Sequence, residues 1–148
     1  MRDSFNGVIR ARHFGINCLD IEKSLFFYRE ILGFKVKQDY IDDSPYIGRL
    51  TGIDCVSIRM IKLAVNDGFV IELVSHMTHL TRAPSLPVYT PGLSHLALEI
   101  ENSAQIYQRL VDQGVHVFSE PLASADGIAK VFFCSDPDDV RIELVEIL

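Results

Sequence analysis

The chain has 148 residues, 48% of them hydrophobic and 23% charged, the make-up of a water-soluble globular protein with room for one buried core. Its net charge is −6 and its 14 lysines and arginines are scattered singly, which excludes a nucleic-acid binder that must neutralise phosphates. No apolar run reaches the roughly 18 residues of a membrane span, and the opening M-R-D-S-F-N-G lacks the apolar centre of a leader peptide, so the expected location is the cytoplasm.

In chain order, Val8–Cys18 reads as a strand. Asp20 is placed to cap a helix that runs from Lys23 to Leu32 and ends at Gly33. Phe26, Phe27 and Tyr28 are expected in its core-facing stripe. Phe34–Ile41 reads as a strand and Asp42–Gly52 as a loop. Ile53–Val65 and Phe69–Ser75 read as a hairpin around Asn66-Asp67-Gly68. Residues 76–91 carry Pro84, Pro87 and Pro91 and read as a linker between a first module, 1–75, and a second, 92–148, the two together forming one compact structural unit.

The second module repeats the plan. A strand at Leu93–Ile100 leads to a helix capped at Asn102 or Ser103 and ended by Gly114. Strands follow at Val115–Ser119, at Ile128–Ser135 after a loop over Glu120–Gly127, and at Val140–Ile147 after the turn Asp136-Pro137-Asp138-Asp139. The spacing from His13 to His95 equals that from Gly33 to Gly114 to within one residue. Each module therefore reads β-α-β-β-β, and the chain is an α+β fold of two tandem βαβββ modules. Cys18, Cys55 and Cys134 have no C-x-x-C spacing and read as buried free thiols in a reducing compartment.

Side-chain parity singles out four residues. Residues i and i+2 of a strand share a face. Phe14, Ile16 and Cys18 form one face of the first strand; His13, Gly15 and Asn17 form the other. In the second module Leu96, Leu98 and Ile100 stand against His95, Ala97 and Glu99. In the closing strands Glu72 and Glu143 likewise avoid the apolar face that must pack on the helix. One histidine and one glutamate per module, all on the side away from the core, make the donor set of a divalent-metal site with His13, Glu72, His95 and Glu143 as ligands. By the same parity Arg59 and Arg141 are candidate contacts for an anionic substrate group. His76 reads as a pocket-wall residue, and His76 with His79 only superficially suggests a metal pair. His116 reads as structural or exposed. Glu146, Glu99 and Glu101 read as solvated charges.

The stretch H13-F-G-I-N-C-L-D-I-E-K-S-L-F-F-Y-R-E-I-L-G-F and the closing D136-P-D-D-V-R-I-E143-L-V-E resemble the vicinal oxygen chelate superfamily, which holds glyoxalase I, methylmalonyl-CoA epimerase, extradiol dioxygenases and the fosfomycin and bleomycin resistance proteins. The resemblance covers nearly the whole chain and implies paired βαβββ modules forming a curved, mostly antiparallel sheet around a divalent-metal site. His, Glu, His and Glu at positions 13, 72, 95 and 143 are closest to the glyoxalase I ligand pattern. Extradiol dioxygenases are similar to it only at the equivalents of His13, His95 and Glu143, and antibiotic-binding members have generally lost the ligands.

The resemblance implies a metal-dependent lyase or isomerase of glyoxalase or epimerase type. Such an enzyme abstracts a proton next to a carbonyl and stabilises an enediolate on Zn, Ni, Co or Mn, with Glu143 as first choice of base and Glu72 as the complementary one. The alternatives are an Fe(II) extradiol-type dioxygenase and a metal-free protein that sequesters a small toxic compound. The partners implied are a small-molecule substrate and a second copy in a homodimer, whose modules either keep to one chain or exchange. Bacterial glyoxalase I carries an arginine four residues after the first histidine and an asparagine four after the first glutamate, both serving glutathione. Here those positions are Asn17 and His76, and Ala125-Asp126-Gly127-Ile128 replaces a K-G-G stretch. These departures speak against glutathione as co-substrate. The second acid of the epimerases has no glutamate counterpart either, only Asp42 and Asp43.

Overall fold

Asp20 and Asn102 start the two main helices by the same contact. Each side chain accepts a hydrogen bond from the backbone three residues on, Lys23 N–H to Asp20 Oδ1 at 3.3 Å and Gln105 N–H to Asn102 Oδ1 at 3.0 Å. That satisfies one of the donors a first helical turn leaves free. Gly33 and Gly114 close the helical segments at φ of +83° and +69°, a backbone shape that other residues adopt at a cost. A computed structural model of the chain describes residues 7–82, 84 and 86–148. The N-terminal segment 1–6 and linker positions 83 and 85 lie outside the described residues.

The first module runs β1 (Phe14–Asn17), α1 (Ile21–Phe26), β2 (Lys35–Asp42), α2 (Pro45–Thr51), β3 (Ile58–Ala64) and β4 (Val70–His76). The second runs β5 (Leu96–Glu99), α3 (Ser103–Asp112), β6 (Leu122–Ala123), β7 (Ala129–Ser135) and β8 (Arg141–Ile147). The strands form two four-stranded sheets of matching order, β1-β4-β3-β2 and β5-β8-β7-β6. In each, the first strand lies parallel to the last and the other neighbours are antiparallel. The architecture is α+β, two tandem modules built on one plan. No helix among the described residues is long and apolar enough to cross a membrane.

One face of each sheet is buried. Ile16, Ile61, Leu63, Ile71 and Leu73 of the first and Phe132, Cys134, Ile142 and Leu144 of the second join Leu25, Phe27, Tyr28 and Leu110 of the helical segments in one cluster. Each large apolar side chain so buried contributes about 1.5–3 kcal/mol. After Phe26 the first helix widens into a π-helical turn, Phe27–Ile31. An extra residue in a turn shifts the inward stripe: Phe27 and Tyr28 are buried, while Phe26, expected beside them, is 48% exposed.

Polar contacts tie the two modules together. Tyr28 Oη donates to Asp136 Oδ2 at 2.8 Å, Ser24 Oγ to Asp138 Oδ2 at 3.2 Å, and Leu19 N–H to Asp138 Oδ1 at 3.1 Å. Asp136 Oδ1 also accepts from the N–H groups of Asp138 and Val140, both at 2.8 Å. The Asp136-Pro137-Asp138 turn is therefore a clamp on α1 as well as a turn.

Several elements differ from the sequence reading. Residues 8–12 are exposed and pair with no strand, so β1 starts at Phe14. The expected loop 42–52 holds α2, with Pro45 in its first turn and Gly52 at φ +72° beyond its end. Proline fits where the first N–H groups have no helical acceptor. Ile47 of α2 packs on Ile58, Met60 and Val74, covering part of the sheet face away from the main core. The expected strand 115–119 reduces to one bridge, Val117 to Cys134. Pro121 has no N–H to extend that ladder, and pairing resumes only in the short β6, Leu122–Ala123.

Candidate functional site

The sheet registers place the four candidate ligands. On the parallel β1–β4 ladder Gly15 lies opposite Glu72, and on β5–β8 Ala97 lies opposite Glu143. Each histidine stands two residues before the small residue and on the same face, so it leans toward its own module's glutamate. His13 Nε2 comes to 3.2 Å from Glu72 Oε2, and His95 Nε2 to 3.0 Å from Glu143 Oε2. A Cβ added at Gly15 would meet nothing within 4 Å, so the space before Glu72 is open. Both carboxylates are more sheltered than the imidazoles they face.

The two pairs have different surroundings. Lys62, opposite Glu72 on β3, puts its Nζ 3.5 Å from Glu72 Oε1. Counting back across the Asn66-Asp67-Gly68 turn would have placed Lys62 there, so a sequence signal existed. Opposite Glu143 stands Phe133 instead, its ring edge-on to His95 with centroids 5.6 Å apart. Ser94 Oγ lies 2.8 Å from His95 Nδ1. With one ring nitrogen so engaged, Nε2 is the one turned to Glu143.

Within one chain the four candidate ligands stay in two pairs. Among the described residues no three His, Cys, Asp or Glu side chains converge as a metal-holding group. A cavity of about 860 Å³ opens beneath the linker, with Gly15, Asn17, His76, His95, His116 and Arg141 on its walls. His76 lines it as expected, and His79 also borders it, its Nδ1 2.8 Å from Thr78 Oγ1.

Arg59 does not reach this side. It shares the helix face with Ile61 and Leu63, opposite Ser75, and its guanidinium grips Asp39 at 2.8 and 3.0 Å and Glu22 as well. That hydrogen bonding holds the Asp39 carboxyl below its usual range and raises the guanidinium. Arg141 is on the open face. Its guanidinium carbon lies 3.9 Å from the centre of the Phe118 ring, against which His116 also packs.

Cysteine placement splits. Cys18 and Cys134 are buried, and burial pushes their thiols up to about 11 and about 12. Cys55, also expected inside, is exposed in the turn before β3 with a φ of +53°. Glu146, expected as a free charge, accepts from Ser103 Oγ at 2.5 Å and Ser103 N–H at 3.3 Å at the start of α3, which lowers its pKa. Burial raises the Asp136 carboxyl, although three donors oppose that shift.

Residues 10–144 match the family described as the Glyoxalase/Bleomycin resistance protein/Dioxygenase superfamily. A lactoylglutathione lyase of Neisseria meningitidis is 28% identical over 142 residues, covering 93% of this chain and 91% of that one. A probable lactoylglutathione lyase of Synechocystis is 29% identical over 136 residues, covering 90% and 92%. Among solved structures, a glyoxalase family protein from Bacillus cereus shares the fold with a TM-score of 0.90 at 20% identity, covering 98% of both chains. One from Enterococcus faecalis gives 0.67 at 25% identity, covering 93% and 98%. The family match takes in both His–Glu pairs and both sheets that carry them: this chain belongs to the Glyoxalase/Bleomycin resistance protein/Dioxygenase superfamily.

Proposed function

We propose that the chain is a metal-dependent lyase or isomerase of glyoxalase or epimerase type, working as a homodimer. The observation that carries this reading is the pairing of His13 with Glu72 and His95 with Glu143 at equivalent registers, each on an open sheet face and each two donors short of a full set. Two imidazole nitrogens and two carboxylates are a donor set that suits Zn, Ni, Co or Mn. A second copy would bring its His95 and Glu143 to the first copy's His13 and Glu72, and symmetry would make two such sites. The names of the relatives, lactoylglutathione lyases, agree with this class of chemistry.

A divalent ion held there would supply Lewis-acid polarisation of two neighbouring substrate oxygens. The protein's own work is proton movement. Glu143 takes the proton from the carbon next to the carbonyl, and the C–H electron pair forms a C=C bond as the carbonyl pair moves onto oxygen. Returned to the other face of the same carbon, the proton epimerises it; returned to the adjacent carbon, it isomerises the substrate, the first carbon's hydroxyl passing its own proton to the second oxygen as it becomes the carbonyl. Phe133, opposite Glu143 on β7, makes the neighbouring wall apolar. Glu72, the more sheltered of the two carboxylates, serves as ligand.

Metal-reconstituted protein incubated with 2-oxoaldehyde–thiol adducts and with 2-substituted acyl thioesters deuterated at the reacting carbon tests this. Isomerisation with loss of deuterium, abolished in Glu143→Gln, is the expected result. Intact substrate bound without turnover would leave a sequestering protein, and oxygen uptake with catechols would establish a dioxygenase.

A further inference from the structure

Arg141 is the one side chain on the open face of the second sheet whose environment calls for an anion. Its guanidinium carbon lies 3.9 Å from the centre of the Phe118 ring and 5.8 Å from that of Phe133. Both are within the roughly 6 Å over which a ring face attracts a cation. Contact with the rings holds the guanidinium in place and uses none of its five N–H donors. Among the described residues Arg141 enters no ion pair and no side-chain hydrogen bond, although Asp138 and Asp139 line the same cavity. Asp138 is already taken by Leu19 and Ser24. Arg59 shows the contrast: also half-buried, it is paired with two carboxylates.

The position matters as much as the empty donors. Arg141 and Glu143 share a strand face two residues apart, about 6.6 Å between Cα atoms. By the β5–β8 register Arg141 also neighbours the place where His95 stands. Asn17 lines the same cavity.

We propose that Arg141, braced by Phe118 and Phe133, binds a carboxylate of the substrate, and that the substrate is a short molecule whose carboxylate lies within a few bonds of the oxygen-bearing carbons. This rests on reading the His95–Glu143 pair as half of the reaction centre. A planar guanidinium meets a carboxylate through two parallel N–H···O bonds, which fixes orientation as well as charge. A long co-substrate with its charge at a distant end would leave this fork unused.

The test uses mandelate and mandelamide, which keep the same vicinal oxygens and aromatic ring and differ in charge. Calorimetric titration compares the wild type with Arg141→Gln and Arg141→Lys, with metal content measured for each. The wild type is expected to prefer mandelate by about tenfold or more, as charge-assisted hydrogen bonds imply. The preference should vanish in Arg141→Gln and return in part in Arg141→Lys at unchanged metal content. Equal affinity in the wild type, no binding of either probe, or a preference that survives in Arg141→Gln would overturn the proposal. A preference lost with Arg141→Gln in a protein that holds no metal and turns over nothing would keep the anion site and discard the metalloenzyme.

Discussion

Lys62 and Phe133 occupy the same place in the two modules, Lys62 opposite Glu72 on the β3–β4 ladder and Phe133 opposite Glu143 on β7–β8. The halves are thus symmetric in their His–Glu pairs and asymmetric in what stands beside them. One glutamate shares its charge with an ammonium group 3.5 Å away; the other faces an aromatic wall. In the proposed mechanism Glu143, with no ammonium group beside it, is the proton carrier, and Glu72 is the ligand.

Lys62 repels any cation bound beside it and competes for Glu72. Lys62→Met should therefore tighten divalent-metal binding, by about two- to fivefold for a partly exposed pair of this kind. Competition against a chromophoric chelator reads this directly. Weaker binding in the variant would mean that Lys62 holds Glu72 in its ligating position.

A site shared between copies makes two dead variants complementary. Glu72→Gln and Glu143→Gln should each be inactive alone. When subunits are mixed and allowed to exchange, one site in each mixed dimer regains all four ligands, and activity should return to about a quarter of wild type. No recovery from a mixture shown to contain mixed dimers would place all four ligands in one chain.

Tyr28 and Asp136 connect the π-helical turn after α1 to the β7–β8 turn. Tyr28→Phe leaves Asp136 short of one donor in a buried setting, at a cost of about 1–3 kcal/mol by chemical denaturation. The pH dependence has a definite sign. Burial raises the Asp136 carboxyl in the folded protein above its unfolded value, so folding favours the protonated form. The penalty of its charge is present at neutral pH and fades as pH falls through the raised value. Relative to Asp136→Asn, the wild type should gain stability on mild acidification. A difference that stays constant with pH would show that Asp136 does not titrate in this range.

The thiols should separate by reactivity. With Cys18 pushed up to about 11 and Cys134 to about 12 by burial, neither presents thiolate at neutral pH, whereas Cys55 is exposed. Iodoacetamide at neutral pH is expected to modify Cys55 alone, and all three only after unfolding, as peptide mass spectrometry would show. Fast labelling of Cys18 in the native protein would mean that the cavity it borders opens readily.

What could be read from the sequence was what depends on local period. Alternation put His13, Gly15 and Asn17 on one face and Ile16 and Cys18 on the other, and the Asn66-Asp67-Gly68 turn fixed the hairpin beyond it. Arg59 was misplaced because its face follows from register across that turn, which sets it beside Ser75 on the helix side. Ser44, Pro45 and Gly52 did announce α2, but seven residues are too few for a helical stripe to stand out. The Tyr28–Asp136 and Ser24–Asp138 bonds join residues more than a hundred positions apart, and no local pattern encodes them. The same holds for the separation of the two His–Glu pairs: their residue types and faces were legible, while their distance within one chain depends on how the modules pack.

Elemental analysis of untagged protein purified without chelator, with molar mass measured on the same sample, tests the proposed shared metal site most directly. About one equivalent of Zn, Ni, Co or Mn per chain in a dimer, lost in Glu143→Gln without loss of the fold, is the expected result. A wild type that stays metal-free after reloading, or a monomer that binds metal as tightly as the dimer, would contradict it.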